Sequence, residues 1–459
     1  MKQHIEEAIH NFRTAGARYQ KPERYYRGQH DLAFATEKFE NTFGSLFREF
    51  AMNLCPAVCD AIRDKLRITG FHGRADTPVR MSAEHENSLA GRTGDADKSV
   101  RAPLLETIWY RNRMQLRTGE VHREALVTGD AYAIVWPDEN GQAAIYPNRA
   151  SAVSVTYDED RPGRITSAAK FWRTTDKHTR LNLFYPDRIE RYITGKPGEG
   201  TLPEAREFVP FVDRVSSPTA RKGTSRGDDA LADARATYTS AHIIANPYGV
   251  VPVFHFANNA DIGAFGRSEL ESAIPVQDGL NKSVLDMLVA MEYSAYRQRW
   301  AAGIEIEYDN DGNVIAPFKA GVDHVWISQN ENAKFGDFGT ANLDQFLKVK
   351  DSFRIDMASV TGTPMYYLLP HTRGFPSGEA IQRAESRFIA KVRDRQSAFG
   401  QTWSDIMQFA ARIDGLGELQ IETRWEDPSQ TTERERLETI LLKRRIGLST
   451  EQALNEAGY

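Results

Sequence analysis

Three long amphipathic segments in the C-terminal half place the strongest constraint on how this chain folds. The first begins at Pro275, which suits the first turn of a helix, and runs to about Gly303, which suits the position after a helix. The second covers residues 343–360, and the third runs from Ser377, a good N-cap, to Gly415. At 1.5 Å per residue, the first and third helices are predicted to be about 43 and about 57 Å long.

Each segment carries apolar residues at spacings of three and four, which is typical of a helix with one buried face. In the first two segments this stripe includes Val276, Leu280, Val284, Leu288, Met291, Ala295, Trp300, Phe346, Phe353, Met357 and Val360. One antiparallel pair of helices cannot bury both stripes along their whole length. The sequence therefore predicts packing against further copies of the chain, in a head-to-tail contact that closes into a ring.

Two regions show the alternation and turn residues that are typical of antiparallel strands. Residues 131–193 contain six short runs that predict three hairpins of one antiparallel sheet, and residues 250–256 predict a further strand that Pro252 places at an edge or bulge. Residues 304–342 predict a hairpin around residues 310–313 and one more short strand at 324–327. The first two long helices therefore flank a small β module.

The remaining N-terminal and central segments are less regular. Residues 37–68 predict an amphipathic helix, or a helix pair split by Pro56. Residues 72–100 and 195–249 are polar with scattered Gly and charge, and the second is also rich in Pro and Ser, so both predict irregular segments. Three prolines and two glycines in residues 361–376 exclude a regular helix throughout that loop.

The C-terminal tail predicts two short helices. Thr432 with Glu435, and Ser449 with Gln452, each fit a capping box. The basic residues 443–445 lie in the last turn of the first of these helices, where cations complement the helix dipole. A contact with nucleic acid or protein is the alternative role for these three residues.

Length and composition limit the class of protein. With 459 residues the chain is long enough for several folding units. It lacks the apolar run of about 18 residues that a membrane helix needs, and its charged N-terminus lacks the apolar stretch of a signal peptide, so we expect a protein that stays in the cytoplasm where it is made. The net charge of −5 predicts that the chain does not hold nucleic acid tightly. Cys55 and Cys59 are predicted to be core thiols in a reducing compartment.

Sequence signatures of catalysis are missing. The chain has no phosphate-binding loop, dinucleotide fingerprint, nucleophile elbow, HExxH or CxxC motif, and its 11 histidines are dispersed. His122 is predicted on a solvated helix face, and His371 is predicted to be an ordinary loop histidine. The sequence therefore predicts no enzyme, no catalytic or metal site and no cofactor.

The order of elements and several stretches together resemble a known family, the portal proteins of long-tailed bacteriophages, especially those of phages that infect actinobacteria. The stretches that carry the resemblance are residues 25–30 (YYRGQH), 38–58 (KFENTFGSLFREFAMNLCPAV), 109–136 (WYRNRMQLRTGEVHREALVTGDAYAIVW), 266–305 (GRSELESAIPVQDGLNKSVLDMLVAMEYSAYRQRWAAGIE) and 377–403 (SGEAIQRAESRFIAKVRDRQSAFGQTW). None of them is a catalytic signature. The resemblance rests on their extent and order along nearly the whole chain.

The resemblance implies an α+β portal fold whose copies form a dodecameric ring around a central channel. Its regions would follow the chain as an N-terminal wing (1–266), a first stem helix (267–303), a clip (304–342), a second stem helix (343–360), a tunnel loop (361–376), a long wing helix (377–414) and short crown-like helices (415–459). The segment 195–249 matches no part of the family pattern.

The resemblance also implies roles for individual residues. Those facing DNA would be Tyr366, Tyr367, His371 and Arg373 in the tunnel loop, together with Lys334. The clip docking surface would comprise Glu305, Glu307, Asp309, Asp311 and Asn313. The stem would pack through Leu280, Val284, Leu288, Phe346, Phe353 and Met357.

The implied function is a non-enzymatic conduit for double-stranded DNA at one vertex of the capsid. The implied partners are other copies of the chain, double-stranded DNA, the large subunit of terminase, a head-completion adaptor, and the major capsid and scaffolding proteins, with no membrane. The chain would initiate capsid assembly in the host cytoplasm and end in the virion.

Two rival interpretations come from the same residues. Scattered Asp and Glu side chains could converge in a metal-dependent nuclease, although no sequence signature supports this. A capsid or tail-tube subunit is the other rival, but such proteins are dominated by β-sheet and would not carry three helices of about 18 to 38 residues.

Overall fold

The computed structural model describes residues 2–34, 37, 41, 51–75, 96–198, 202–212, 242–262, 265–295, 299–303, 307–308, 310, 314–315, 330, 332–337, 343–369, 378–429 and 433–450. The chain divides into two compact units. Unit 1 contains Met1–Gln29, Asn53–Pro275 and Met357–Tyr459, and unit 2 contains His30–Met52 and Val276–Asp356.

The fold is of the α+β class, with helices and antiparallel sheets in both units. The helices are α1 (Lys2–Tyr26), α2 (Cys55–Arg63), α3 (Ala96–Arg111), α4 (Met114–Thr128), α5 (Ala273–Ala295), α6 (Leu343–Thr361), α7 (Gly378–Ile413) and α8 (Glu433–Arg445). The strands are β1 (Ile68–Ala75), β2 (Asp130–Pro137), β3 (Ala143–Arg149), β4 (Val153–Tyr157), β5 (Ile165–Arg173), β6 (Thr179–Phe184), β7 (Arg188–Thr194), β8 (Phe208–Pro210), β9 (Ile243–Ala245), β10 (Val253–Ala257), β11 (Arg299–Ala302), β12 (Glu307–Tyr308), β13 (Val314–Ile315), β14 (Lys334–Asp337) and β15 (Leu419–Trp425).

The three predicted hairpins of unit 1 are confirmed as β2–β3, β4–β5 and β6–β7. They do not form one sheet, as the sequence analysis expected. β10, β2 and β3 form a three-stranded sheet with β10 at its edge, whereas β4 to β8 form a six-stranded sheet in which β9 also pairs with β7. The chain changes sheets at the short 3-10 turn Ala150–Ala152, where the amide of the fully buried Ala150 donates a hydrogen bond of 3.1 Å to Glu124 Oε1.

Both faces of the six-stranded sheet are partly covered. One face packs against α1 through Ile5, Ile9 and Phe12, which meet Leu181 and Leu183. The other face packs against the three-stranded sheet through a cluster of buried side chains: Tyr132, Ile134, Val153, Val155, Ala168, Phe184, Ile189, Val251 and Val253. Successive side chains of each strand point to opposite faces, so the strands of this sheet contribute to both clusters.

An aromatic cluster in unit 1 corrects the prediction for His122. His122 lies on α4 but is fully buried, and its Nε2 accepts a hydrogen bond of 2.9 Å from Trp403 Nε1 on α7. Its ring stacks on Phe399 at 5.5 Å, and Trp109 contacts Trp403 edge-on at 5.2 Å. The predicted solvated face was wrong because the neighbours that bury His122 come from distant parts of the chain.

Two further predictions for unit 1 are wrong. Residues 72–100, predicted to be irregular, include the end of β1 and the start of α3, while residues 76–95 lie outside the described part. Residues 415–459, predicted to carry only short helices, contain the first of these as α8 but also contain β15, which pairs antiparallel with β1. Leu419 and Ile421 are buried, whereas Gln420 and Glu422 are exposed, so β15 has the period-two pattern of a half-buried strand.

The predictions for residues 37–68 and 195–249 are each corrected in part. Pro56 does not split a helix but lies in the first turn of α2, where a missing N–H does no harm, and the chain leaves the helix at Arg63 to enter β1. The segment 195–249 supplies two short strands, β8 and β9, that pair with β7, while residues 213–241 lie outside the described part.

In unit 2, the first long helix is shorter than predicted. α5 ends at Ala295, and Arg299–Ala302 forms β11, which pairs antiparallel with β14. The prediction that the helix continues to Gly303 was wrong. In the β11–β14 ladder Trp300 pairs with Gly336, and its indole packs over this residue because glycine has no side chain in the way. This packing favours the strand over the helix. The hairpin around residues 310–313 is confirmed as β12–β13, and the strand predicted at 324–327 lies outside the described residues.

The second and third long helices agree closely with the prediction. α6 covers Leu343–Thr361 and α7 covers Gly378–Ile413, against predicted ranges of 343–360 and 377–414. The start of unit 2 is held to α5 by two side chains of that helix. Gln277 Nε2 donates to the carbonyl oxygen of Met52 at 2.9 Å, and Asn281 Nδ2 lies 3.1 Å from His30 Nδ1.

Candidate functional site

α5 and α6 lie against each other within unit 2. A Cβ atom placed on Gly279 of α5 would lie 2.7 Å from Cε1 of Phe353 on α6, so the glycine allows a close approach of the aromatic ring to the helix backbone. Leu280, Val284 and Met357 are buried, while Leu288, Phe346 and Phe353 are half-buried. The six residues predicted to pack the stem are thus all at least partly covered within one copy of the chain.

Other apolar side chains of unit 2 keep a large exposed fraction in a single copy. Met291, Trp300, Phe335, Leu347, Val349 and Ile355 are each between 39% and 48% exposed. Val349 and Phe353 are four residues apart on α6, so the exposed surface continues directly from the packed one. A single copy therefore leaves partly exposed apolar side chains on α5, α6 and the β module, and of these six only Met291 and Trp300 belong to the stripe that the sequence predicts.

In the described part of the β module between α5 and α6, a side-chain hydrogen bond supplements the β11–β14 ladder. Asn330 Nδ2 donates to the carbonyl oxygen of Gly303 at 2.7 Å, at the point where β11 ends with a left-handed glycine (φ +75°). Of the residues predicted for docking, Glu307 lies on β12, paired with Ile315. Glu305, Asp309, Asp311 and Asn313 lie outside the described residues. Lys334 opens β14 and is exposed.

The loop after α6 begins with an ordered turn. Gly362 adopts a left-handed conformation (φ +66°), and Thr361 Oγ1 donates to the carbonyl oxygen of Met357 at 2.7 Å. A 3-10 turn, Met365–Tyr367, follows. These contacts give the loop a fixed base at the end of α6.

The two tyrosines predicted to face DNA lie in that 3-10 turn. The rings of Tyr366 and Tyr367 are 4.7 Å apart, and Tyr367 lies 6.0 Å from Phe388 of α7. Burial, followed by the charge of Asp64, raises the pKa of Tyr367. Both side chains are half-buried in one copy of the chain. His371 and Arg373 lie outside the described residues, so the structure brings together only the tyrosine pair of this group.

A buried cluster of charged side chains joins α7 to the ends of the helical pair, and the sequence analysis missed it. Glu269, just before α5, accepts hydrogen bonds from Arg395 Nη2 at 2.9 Å and lies 2.5 Å from Lys391 Nζ. Lys391 also donates to the carbonyl oxygen of Thr361 at 2.9 Å. The sequence does show that Lys391 and Arg395 lie one helical turn apart on α7 and so share a face. It does not show that both bind Glu269, because that residue lies far earlier in the chain.

The described residues contain no group of three or more His, Cys, Asp or Glu side chains placed to hold a metal ion. In the same part of the chain, none of the helices combines the length and apolar character required to cross a membrane.

Comparison with known proteins adds three kinds of similarity. Residues 5–455 match the family model described as phage portal protein, SPP1 Gp6-like. The portal protein of Mycobacterium phage L5 is 31% identical over 195 residues, and that of Mycobacterium phage D29 is 30% identical over 195 residues. Each match covers 40% of this chain and 40% of the relative, so the aligned segment spans less than half of either protein.

Among solved structures, similar chains occur in gene transfer agent (GTA) particles. A chain in the neck of an empty GTA particle, computed with C6 symmetry, has a TM-score of 0.45 at 12% identity and matches 88% of this chain and 89% of its own length. A chain of the virion of a native GTA particle has a TM-score of 0.42 at 13% identity, covering 77% and 83%. One in the neck of a native GTA particle, computed with C12 symmetry, has a TM-score of 0.41 at 12% identity, covering 75% and 79%.

Proposed function

The chain belongs to the phage portal protein family of the SPP1 Gp6-like type, and on this premise we propose that it forms a closed ring through which double-stranded DNA enters and leaves a phage capsid. The resemblance to portal proteins that the sequence carries is confirmed by this membership, and the two curated relatives named above come from phages of Mycobacterium. Its α+β fold is that of a portal protein.

The observation that carries the ring is the set of partly exposed apolar side chains on α5, α6 and the β module. Exposed apolar area contributes roughly 25 cal/mol per Å² when it is buried, so these side chains favour association with surfaces of the same chemistry. A neighbouring copy rotated about an axis offers such a surface, and repetition of this heterologous contact closes into a ring. We propose twelve copies, with α5 and α6 as the stem.

The net charge of the chain is better suited to a channel through which DNA slides than to a site that binds DNA tightly. A basic channel would bind phosphates and release their counterions, which makes each step along the duplex costly to reverse. The chain instead carries a net charge of −5, which is repeated with every copy in a ring. Lys334, His371 and Arg373 would then be isolated cations that slow the duplex, with Tyr366 and Tyr367 forming the base of the narrowing loop.

The β module, residues 304–342, is proposed as the clip that docks other proteins. Terminase would bind it during packaging and a head-completion adaptor afterwards, while the major capsid and scaffolding proteins would bind elsewhere on the ring. The proposed docking residues Glu305, Glu307, Asp309 and Asp311 are acidic, which favours a basic surface on the partner. The chain itself would perform no catalysis, and the ATPase would be a separate protein. We propose that it initiates capsid assembly in the host cytoplasm and remains in the virion.

The function is tested by replacing residues 304–318 with a short Gly-Ser linker. The variant should fold and form rings, because among the described strands β12 and β13 pair only with each other, but it should not support DNA packaging in a defined system with terminase and empty capsids. A matched control shortens the exposed turn 158–164 between β4 and β5 and should package like the unaltered chain. Packaging at an undiminished rate by the clip variant would show that the docking role lies elsewhere.

A further inference from the structure

The segment that leads into α5 is fixed by an unusually dense set of backbone contacts. Gly266 N donates to Asp130 Oδ1 at 2.7 Å, and a Cβ atom on Gly266 would lie 1.9 Å from the carbonyl oxygen of Gly129, so only glycine fits there. Three residues later, Glu269 N donates to the carbonyl oxygen of Leu126 at 2.9 Å. The start of the helical pair is therefore held to α4 and β2 before α5 begins.

The end of the helical pair is held by a side chain. Lys391 Nζ on α7 donates to the carbonyl oxygen of Thr361, the last residue of α6, at 2.9 Å. Carbonyl groups in the last turn of a helix have no partner within the helix, so a lysine that binds one of them both caps and positions that end. The next residue, Gly362, begins the loop that carries Tyr366 and Tyr367.

Glu269 connects these two ends. Its Oε2 lies 2.5 Å from Lys391 Nζ, and its Oε1 accepts hydrogen bonds from Arg395 Nε at 3.1 Å and from Asn258 Nδ2 at 3.1 Å. Glu269 is 8% exposed and Arg395 is 4% exposed. Burial alone would raise the pKa of Glu269, but Lys391 and Arg395 outweigh it and hold the pKa below its usual value. The carboxylate is thus charged, and both of its oxygens are occupied.

We propose that Glu269 and Lys391 are a pair of positioning residues that lock the start of α5, the end of α6 and the base of the following loop onto α7. This root clamp rests on the proposed function, because the loop it positions is the one proposed to narrow the channel. A movement of the loop base away from α7 would separate Lys391 from Thr361 and leave a buried carboxylate with one cation fewer. The clamp therefore holds the described base of the loop, residues 362–369, against α7 until that contact breaks.

The test uses Lys391→Met, which keeps the aliphatic side chain but removes the ammonium group. Amide hydrogen exchange of residues 362–369, measured by mass spectrometry on the full-length protein, should rise by about 10-fold, because a charge-assisted hydrogen bond is lost. Lys391→Arg, which keeps the charge and donors, should restore most of the protection. Arg393 lies on the same helix as Lys391 and forms a surface ion pair with Asp427. Arg393→Met removes this ion pair and should leave the amides of residues 362–369 unchanged.

Exchange in residues 362–369 that is the same in Lys391→Met and the unaltered chain would overturn the clamp. If Lys391→Met does not fold, Glu269→Gln, which is isosteric, should raise exchange in the same residues, and an unchanged rate would again overturn it. This measurement needs no DNA, so it is independent of the proposed function. In assembled particles, Lys391→Met should lose packaged DNA faster than Arg393→Met, and equal retention would overturn the link between the clamp and the channel.

Discussion

The ring of Phe353 on α6 lies so close to Gly279 on α5 that a Cβ atom on the glycine would be 2.7 Å from Cε1. This contact sets how closely α5 and α6, the helices proposed as the stem, approach each other at this point in unit 2. It also explains a glycine in a helix interior, where glycine is unfavourable by about 1 kcal/mol relative to alanine.

Replacing Gly279 with leucine should push α5 and α6 apart at this contact. We expect a loss of about 1–3 kcal/mol of unfolding free energy from overpacking, seen as a lower midpoint of thermal unfolding. A Cβ atom on Gly16 of α1 would meet no neighbouring atom within 4 Å, so Gly16→Leu is the matched control and should not lower the midpoint. A second change, Phe353→Leu, should recover part of the loss in the Gly279→Leu background. Equal midpoints for the two glycine variants would contradict the close contact.

Stability should fall with acid because of His122. Burial lowers the pKa of His122 to about 3, below the value near 6.5 of an exposed histidine. The unfolded chain therefore binds the proton more readily, and the stability that neutral His122 provides is complete above pH 6.5 and is lost as the pH falls towards 3. Between pH 7 and pH 5 the unaltered chain should lose about 2 kcal/mol more than His122→Gln, measured by urea unfolding at each pH.

The exposed His10 on α1 supplies the control for that experiment, since His10→Gln should keep the full acid sensitivity of the unaltered chain. A His122→Gln variant with the same pH dependence as the unaltered chain would show that this histidine is not the group responsible.

The two thiols should be unreactive in the folded protein. Cys55 and Cys59 are buried thiols on α2 that form no disulfide, and burial, followed by the charge of Glu269, raises the pKa of Cys59. Because the thiolate is the nucleophile, an aromatic disulfide reagent should label the native chain slowly and release two equivalents once the chain is denatured. An added cysteine at Ile262, which is 96% exposed, should react at once and shows that the reagent is active. Rapid labelling of the native thiols would place them at the surface.

Neutralising the proposed docking surface should weaken binding to a partner. Glu305→Gln, Glu307→Gln, Asp309→Asn and Asp311→Asn together are expected to lower the affinity for terminase or the adaptor about 10-fold at low salt, and to flatten its salt dependence. The matched control changes two acidic residues in an exposed turn of unit 1, Glu159→Gln and Asp160→Asn. Titration by interferometry at two salt concentrations measures both. An affinity equal to that of the control would remove the acidic clip surface from the docking site.

Local periodicity was enough to predict much of the fold. The three-and-four spacing in α6 and α7 located both helices to within a residue or two, and the turn residues in 131–193 located three hairpins. These elements have their signal within a short window, because the buried face repeats along one helix or strand.

The rest of the fold depends on partners that are distant in sequence. β1 pairs with β15, and nothing in residues 68–75 indicates that the matching strand lies near the C-terminus. From its local sequence, His122 was predicted to lie on a surface face. Its burial depends on Trp403, 281 positions away, which donates a hydrogen bond to the imidazole ring. The clamp was missed for the same reason, since Lys391 and Arg395 share a face of α7 but Glu269 precedes α5.

For the tyrosine pair, the sequence predicted the place in the chain but not the local conformation. Sequence placed Tyr366 and Tyr367 in a loop after α6, and the structure gives that loop a 3-10 turn whose aromatic rings pack against each other and near Phe388.

The most direct test of the account is the oligomeric state of a stem variant, measured by native mass spectrometry and by averaged electron micrographs. The unaltered chain should form closed rings with a central hole at micromolar concentration. The triple variant Leu347→Gln, Val349→Gln and Ile355→Gln should remain folded but shift to single copies, while Leu116→Gln, an exposed apolar residue on α4, should still form rings. A monomeric unaltered chain, or rings of the triple variant as stable as those of the control, would contradict the claim that neighbouring copies cover the partly exposed apolar side chains of α6.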